Sequence, residues 1–404
     1  MLRFPKFRGE WTQYKLGECF DERNEQFPES SDYPLMAFIA GKGVTEKGEK
    51  YDRSALVKDA PNKKYKRTEL GDFIYSSNNL ESGSIGLNRY GKACISPVYS
   101  IFKAKKGFDP YFIGTILTQK SFISEMIKYR QGVVYGQWKI PEKEFLNLII
   151  RIPSFCEQQR IAEFLEAEDR LISAQEQKVE SLKAHKKGLM QQLFPQSGET
   201  TPRLRFPGFT GKWQEKKLNK VFSRVTRKNA ENNQNVLTIS AQYGLISQLE
   251  FFKKSVASSD VTGYYLLHRG EFAYNKSSSQ GRPVGAIKPL RLYDKGVVST
   301  LYICFKCNNP EEIDFWEQYF DAGILDSEIL SIAQEGARNH GLLNISTGDF
   351  FGLNVILPTP PEMKKIAECL FSFDDVITAA ENELDSLKAH KKGLMQQLFP
   401  QLQK

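Results

Sequence analysis

Two long stretches of the 404-residue chain carry apolar positions with the period of a helix. In the first, Ile161, Leu165, Ile172, Val179, Leu182, Leu189 and Leu193 follow one another at spacings of three, four or seven; in the second, Ile366, Leu370, Ile377, Leu384, Leu387, Leu394 and Leu398 do the same. A stripe of this kind, interrupted by a few polar residues, is that of a coiled coil. Each predicted helix starts just after a proline (Pro153, or Pro358 with Pro360 and Pro361) and stops at Pro195 or Pro400, because proline cannot continue a helix interior. At 1.5 Å per residue each would be roughly 55 to 60 Å long. A helix of that length and polarity needs a partner stripe, and the other stretch is the obvious one; two separate core helices are the plainer alternative.

The two stretches also match in sequence. SLKAHKKGLMQQLFPQ occurs at Ser181 to Gln196 and again, letter for letter, at Ser386 to Gln401. LRFPKFRGEW at Leu2 to Trp11 returns as LRFPGFTGKW at Leu204 to Trp213, and Lys15, Leu16 and Phe20 return as Lys217, Leu218 and Phe222. The chain is therefore a tandem duplication. Between these ends, short apolar runs (LMAFIAG, DFIYSS, ACISPVYSIFKA, LNLIIRIP) are separated by Gly, Asn, Ser and Pro, which predicts a strand-rich mixed domain with a short helix near Tyr111 to Tyr129. The second half repeats the framework: VLTIS at Val236, GEFAY at Gly270 against GDFIY at Gly71, VVSTLYICFK at Val297 against ACISPVYSIFK at Ala93, and a helix near Asp314 to Ala333. The loops between do not match. Ser76 to Lys92 lies opposite Asn275 to Gly296, and Arg130 to Ile140 lies opposite Gln334 to Ile345.

The linker SGETTPRLRFPGFTGKW bears on topology. A parallel pairing would need some seventeen residues to span about 55 Å, which a fully extended chain barely reaches. An antiparallel pairing lets the linker relax and puts the two globular domains at opposite ends of a two-helix spacer.

Composition narrows the chemistry. Length suits two or three domains. No run approaches eighteen apolar residues, and MLRFPKFRGEW lacks the apolar core of a signal peptide, so a soluble, cytoplasmic protein without membrane attachment is expected. Cys19, Cys94, Cys156, Cys304, Cys307 and Cys369 are scattered; Cys304 and Cys307 form one CxxC without a second pair, which favours buried thiols over zinc. The net charge of +8 is compatible with a polyanionic partner without demanding one. GLNRYGKA at Gly86 to Ala93 approaches a phosphate loop but has Ala93 where Ser or Thr should hold magnesium, and a strand-like run follows it. DPYF at Asp109 to Phe112 lacks the second proline of an adenine-methyltransferase motif. His185 and His390 are repeat copies on the polar face of the helices. No catalytic or metal site is expected.

IRIPSFCEQQRIAEFLEAEDRLI and VILPTPPEMKKIAECLFSFDDVI, the identical KAHKKGLMQQLFP ends and GAIKPLRLYDKGVVSTLY make the whole chain resemble the specificity subunit of type I restriction-modification enzymes. The second half departs at Pro361, Lys364 and Lys365, where the first has Cys156, Gln159 and Arg160. The resemblance implies an α+β fold: two strand-rich mixed target recognition domains, separated by two long helices in an antiparallel coiled coil with pseudo-twofold symmetry. The expected domains are 1–153 (first target recognition domain), 154–195 (central helical spacer), 196–358 (linker and second target recognition domain) and 359–404 (C-terminal helical spacer). It further implies a non-catalytic subunit that reads a bipartite target in double-stranded DNA and docks two methylation subunits and the restriction subunits. S-adenosylmethionine, ATP and magnesium would then sit on those partners and no cofactor on this chain. A pseudo-symmetric protein scaffold without nucleic-acid binding is the alternative.

The mismatched loops supply the DNA-contact candidates. In the first half they are Lys63, Lys64, Lys66, Arg67, Asn78, Asn79, Arg89, Tyr90, Arg130, Tyr135, Gln137 and Lys139. In the second they are Arg227, Lys228, Lys253, Lys254, Asn275, Lys276, Gln280, Arg282, Arg338, Asn339 and His340. Arg pairs bidentately with guanine and Asn or Gln with adenine, whereas lysine runs more often hold phosphate and carry no sequence information.

Overall fold

The computed structural model describes residues 2–46, 63–134, 137–196, 198–240, 244–252, 260–277, 282–333 and 343–399. The chain divides into two units, one comprising Met1–Gln175 with Glu383–Lys404 and the other Glu176–Asn382. Each long helix is thereby shared: α5 (Phe155–Leu193) and α11 (Pro360–Leu398) each give one part to either unit.

In the first unit the remaining elements are β1 (Thr12–Lys15), α1 (Leu16–Cys19), β2 (Phe20–Glu22), β3 (Gln26–Phe27), β4 (Ala37–Ile39), β5 (Gly43–Thr45), β6 (Tyr65–Thr68), β7 (Phe73–Tyr75), β8 (Ile85–Leu87), β9 (Ala93–Ile95) and β10 (Ser100–Ala104). They continue with α2 (Pro110–Leu117), α3 (Lys120–Ile127), β11 (Gln131–Val134), β12 (Gln137–Lys139), α4 (Glu142–Asn147) and β13 (Ile149–Ile152). The second unit has β14 (Gln214–Lys217), α6 (Leu218–Val221), β15 (Phe222–Arg224), β16 (Leu237–Ser240), β17 (Gly244–Ser247), α7 (Gln248–Phe252), β18 (Tyr265–His268) and β19 (Phe272–Asn275). β20 (Ala286–Pro289), β21 (Lys295–Val298), β22 (Ile303–Cys307), α8 (Ile313–Asp321), α9 (Asp326–Ile332), α10 (Thr347–Gly352) and β23 (Asn354–Leu357) complete it.

The framework repeats strand for strand. A four-stranded antiparallel sheet has the order β2-β10-β7-β8 in one unit and β15-β22-β19-β20 in the other. β1 pairs with β13, and β14 with β23, so the start of each unit is zipped to the strand that leads into its long helix. The expected strand-like run from Ala93 is instead two strands in different sheets. Pro97, which has no N–H to give a ladder, lies in a turn where Tyr99 N donates to Ser96 O at 3.3 Å.

The two short helices foreseen near 111–129 and 314–333 are each a pair. α2 ends where the Thr118 hydroxyl donates back to Gly114 O and Thr115 O, an alternative to the helical ladder. The α8–α9 break holds Gly323 at φ +72°, the left-handed conformation in which helices commonly stop. The second long helix begins on Pro360 rather than after the prolines, since a helix's first turn has no use for the missing N–H.

Within each unit the two long helices run antiparallel. In the first, Asp169 meets Lys391, Glu168 faces His390, and Gln175 Nε2 donates to Glu383 at 2.9 Å. In the second, Lys186 reaches Asp374 at 2.6 Å and Lys183 reaches Glu381 at 2.7 Å. Residue numbers rise on one helix as they fall on the other, which is the expected antiparallel pairing. Ile161, Leu165, Val179, Leu193, Ile366, Leu370, Ile377 and Leu398 of the apolar stripes are buried.

The identical helix ends dock identically. Phe194, at the end of α5, packs on Trp213, Phe315 and Tyr319 of the second unit, while Phe399, at the end of α11, packs on Trp11 and Phe112 of the first. Arg3 clasps Glu157 with two hydrogen bonds (2.9 and 2.6 Å), and Arg205 clasps Glu362 likewise (2.7 and 2.8 Å). Bidentate pairs of this geometry are the strong ones. They fix each LRFP arm to the start of a long helix.

Candidate nucleic-acid interface

The loops that differ between the repeats converge within each unit. In the first, the β7–β8 loop is bound to the β11–β12 segment three ways. Arg130 clasps Glu81 (2.8 and 2.6 Å), Ile140 N donates to Ser77 Oγ (3.0 Å), and the Tyr75 hydroxyl donates to Ile140 O (3.3 Å). In the second, Leu343 N donates to Lys276 O (3.0 Å) and Lys276 Nζ to Ile345 O (3.4 Å), joining the β19–β20 loop to the segment after α9. The β19–β20 loop closes on Gly285 at φ +83°, where a Cβ would lie 2.0 Å from Asn275 O; only glycine fits there.

An open cleft of about 450 Å³ lies at this end of the first unit's sheet. It gathers Lys66, Asn78 and Lys139 of the sequence candidates, with Gln26, Trp138 and Glu142 among the residues that sequence reasoning did not single out. Lys66 is buried in it, donates to Tyr99 O at 3.0 Å, and is held below the usual lysine pKa by that burial. Glu142 accepts from Ser100 Oγ at 2.9 Å. Trp138, in β12, is 46% exposed.

Other candidates are placed elsewhere or already engaged. Arg67, on the opposite face of β6 from Lys66, is sandwiched between Phe27 and Tyr33 at 4.1 and 4.4 Å. Lys63 and Lys64 are exposed just before it. Arg130 is 12% exposed, clasped by Glu81 and facing Trp138, so its role is to hold the loops together. Asn79 N donates to Ser76 O in the β7–β8 loop. Arg89 lies over Tyr111 and donates to Asp169 on α5 at 3.0 Å. Its neighbour Tyr90 is exposed on a tip fixed by buried Asn88, whose amide accepts from Tyr90 N and Gly91 N.

In the second unit, Asn275 Oδ1 accepts from Ser277 N at 3.1 Å and Arg282 pairs with Asp321 at 3.3 Å. Arg227 is clasped by Glu271, and Lys228 donates to Gly263 O and covers Tyr265. Tyr135, Lys253, Lys254, Gln280, Arg338, Asn339 and His340 lie outside the described residues, as does the side chain of Gln137.

Among the described residues no group of His, Cys, Asp and Glu side chains is placed to hold a metal ion. The stretch resembling a phosphate loop runs from β8 into β9 with no helix N-terminus to meet a phosphate. Burial pushes the thiols of Cys304 and Cys307 up to about 12 and about 11, so both stay protonated. His185 and His390 are exposed, one beside Phe373 and the other 3.5 Å from Glu168.

Residues 8–184 match the family described as type I restriction modification DNA specificity domain. No curated protein matches the chain in sequence. Among solved structures, the crystal structure of a type I restriction-modification system S subunit from M. genitalium aligns with a TM-score of 0.56 at 14% identity, over 97% of each chain. A structure solved for the complex assembly and conformational transition of the type I R-M system aligns at 0.52 with 15% identity, over 96% of each chain. These likenesses carry the fold alone, and the sequence match covers the first repeat, fewer than half of the chain's residues. The first repeat is thus similar to type I DNA specificity domains. The second half repeats that framework in its strand order, while the family match itself spans residues 8–184. Among the described residues no helix is long and apolar enough to cross a membrane.

Proposed function

We propose that each unit reads one half of a bipartite duplex through the loops that differ between the repeats. The observation that carries this reading is the convergence of two mismatched segments at one end of a matched scaffold, bonded to each other in both units. Lys66, Asn78 and Lys139 in the first unit, and Asn275, Lys276 and Arg282 in the second, lie in or beside those segments. Exposed Lys63 and Lys64 suit phosphate contacts, which position without specifying.

In this reading 1–153 and 196–358 are the target recognition domains, and the helical segments 154–195 and 359–404 space them. The two identical helix ends each present a surface to a methylation subunit, so one chain takes two, with restriction subunits joining them. S-adenosylmethionine, ATP and magnesium belong to those partners, and the assembly works in the cytoplasm, where the DNA is. Native mass measurement of the complex should give two methylation subunits per chain; saturation at one would overturn the stoichiometry. Binding of the assembled complex to a randomised duplex pool should enrich a bipartite sequence and weaken steeply as salt rises. A pool that stays unenriched, with binding indifferent to salt, would favour the protein scaffold instead.

A further inference from the structure

We infer that one turn in each unit is an apolar base contact: Val98 in the first unit and Leu301 in the second meet the C5-methyl of a thymine in their half-sites. The turns are equivalent. Ser96–Tyr99 joins β9 to β10 and Ser299–Tyr302 joins β21 to β22, each closed by the tyrosine N–H donating to the serine carbonyl, at 3.3 and 3.1 Å. Both are mounted rigidly. The Tyr99 hydroxyl donates to Phe38 O in β4 at 3.3 Å, and Tyr302 reaches Thr238 and Ile239 of the matching strand β16.

Val98 and Leu301 are each 60% exposed. Turn positions usually carry Gly, Asn, Asp, Ser or Pro, so an aliphatic side chain held in water at the same place in both repeats calls for an occupant. The surroundings of Val98 say which, and Leu301 follows from the equivalence of the two turns. Val98 lines the cleft that holds Lys66, Asn78, Trp138 and Lys139. The cleft's two lysines are matched by two glutamates, Glu22 and Glu142, so a phosphate there would meet as many carboxylates as ammonium groups. A base edge is uncharged, carries donors and acceptors for Asn78 and Gln26, and on thymine adds a methyl for an apolar lip. The inference rests on the reading that the converging loops face DNA.

The test uses the assembled complex and a duplex carrying both half-sites. Each thymine is replaced in turn by uracil, which removes only the methyl, and affinity is measured for the natural chain, Val98→Ser and Leu301→Ser. Both side chains stand in solvent, so serine removes no core packing. The natural chain should lose about fourfold at one thymine per half-site, the worth of one methyl taken out of water. Val98→Ser should become indifferent to that methyl in one half-site only, and Leu301→Ser in the other. Variants that keep the natural thymine preference, or lose affinity equally for thymine and uracil, overturn the inference while leaving half-site reading intact. A natural complex indifferent to duplex sequence would overturn the underlying reading, and this one with it.

Discussion

Asp169 and Asp374 occupy the same place in the two long helices, and their surroundings divide what the units share from what they do not. Both accept from the repeated lysine of the antiparallel helix, Lys391 or Lys186, and from the helix packed alongside: the Tyr111 hydroxyl at 2.5 Å in one unit, Gln318 Nε2 at 2.8 Å in the other. Asp169 has a third partner, Arg89, which comes from a loop that does not match between the repeats. The helix-to-helix contact is therefore common property. A contact with a loop is private to its unit.

The shared docking phenylalanines should separate the two units most strongly. Phe194→Ala and Phe399→Ala alter identical sequence, yet they should act on different units, because each ring is buried among aromatics of one unit alone. Either change should cost about 3 to 5 kcal/mol. Amide hydrogen exchange is expected to localise the loss, with Phe399→Ala exposing the region of Trp11 and α2, and Phe194→Ala that of Trp213 and α8. Equal loosening of both regions by either change would contradict the docking.

A smaller effect tests the private loops. Replacing Asn275, Lys276, Gln280 and Arg282 together by alanine should relax recognition of one half-site and spare the other, at about 1 to 3 kcal/mol per lost base contact. Site selection from a duplex library measures this, and equal damage to both halves would count against it.

Smaller again is the charge on Asp169. Burial alone would raise its carboxyl, but hydrogen bonds from Lys391 and Tyr111 and the charges of Lys391 and Arg89 outweigh that and hold it below the usual carboxylate range. A group whose folded pKa is depressed stabilises while ionised, and loses that contribution as pH falls from about 4 through the folded value. Asp169→Asn should therefore cost about 1 kcal/mol at neutral pH, solvent screening included, and progressively less below pH 4. Thermal melts across pH 2 to 7 read it; a penalty constant over that range would exclude the charge as the cause. The repeat copies His185 and His390 lie at the small end: alanine at either should shift stability by no more than about 0.5 kcal/mol.

Much of the fold was legible because duplication wrote it twice. The helical stripes, the antiparallel pairing and the framework pieces GDFIY and GEFAY all have periodicity or a second copy behind them. What was lost were local breaks decided by single groups: the Thr118 hydroxyl that ends α2, Gly323 between α8 and α9, and the turn at Pro97 that sends one apolar run into two sheets. The candidate interface was legible only as a set of loops. Composition marks Arg130 and Arg227 as free cations, whereas Glu81 and Glu271 hold them; no local signal pairs residues so far apart in sequence. Glu22, Gln26 and Glu142 reach the cleft from three separate segments, and Val98 and Leu301 read as ordinary strand residues until the turns are seen.

We propose, then, that two divergent loop sets on one repeated scaffold read two half-sites independently. Genome-wide mapping of methylated adenines tests it most directly, in cells carrying the complete system with either the natural chain or one in which Asn78, Trp138 and Lys139 of the first unit are alanine. The natural chain should mark a bipartite motif, and the variant should lose or relax one half while the other half and the spacing between them stay unchanged. A single undivided motif, or both halves altered together, would show that the two loop sets do not read independently.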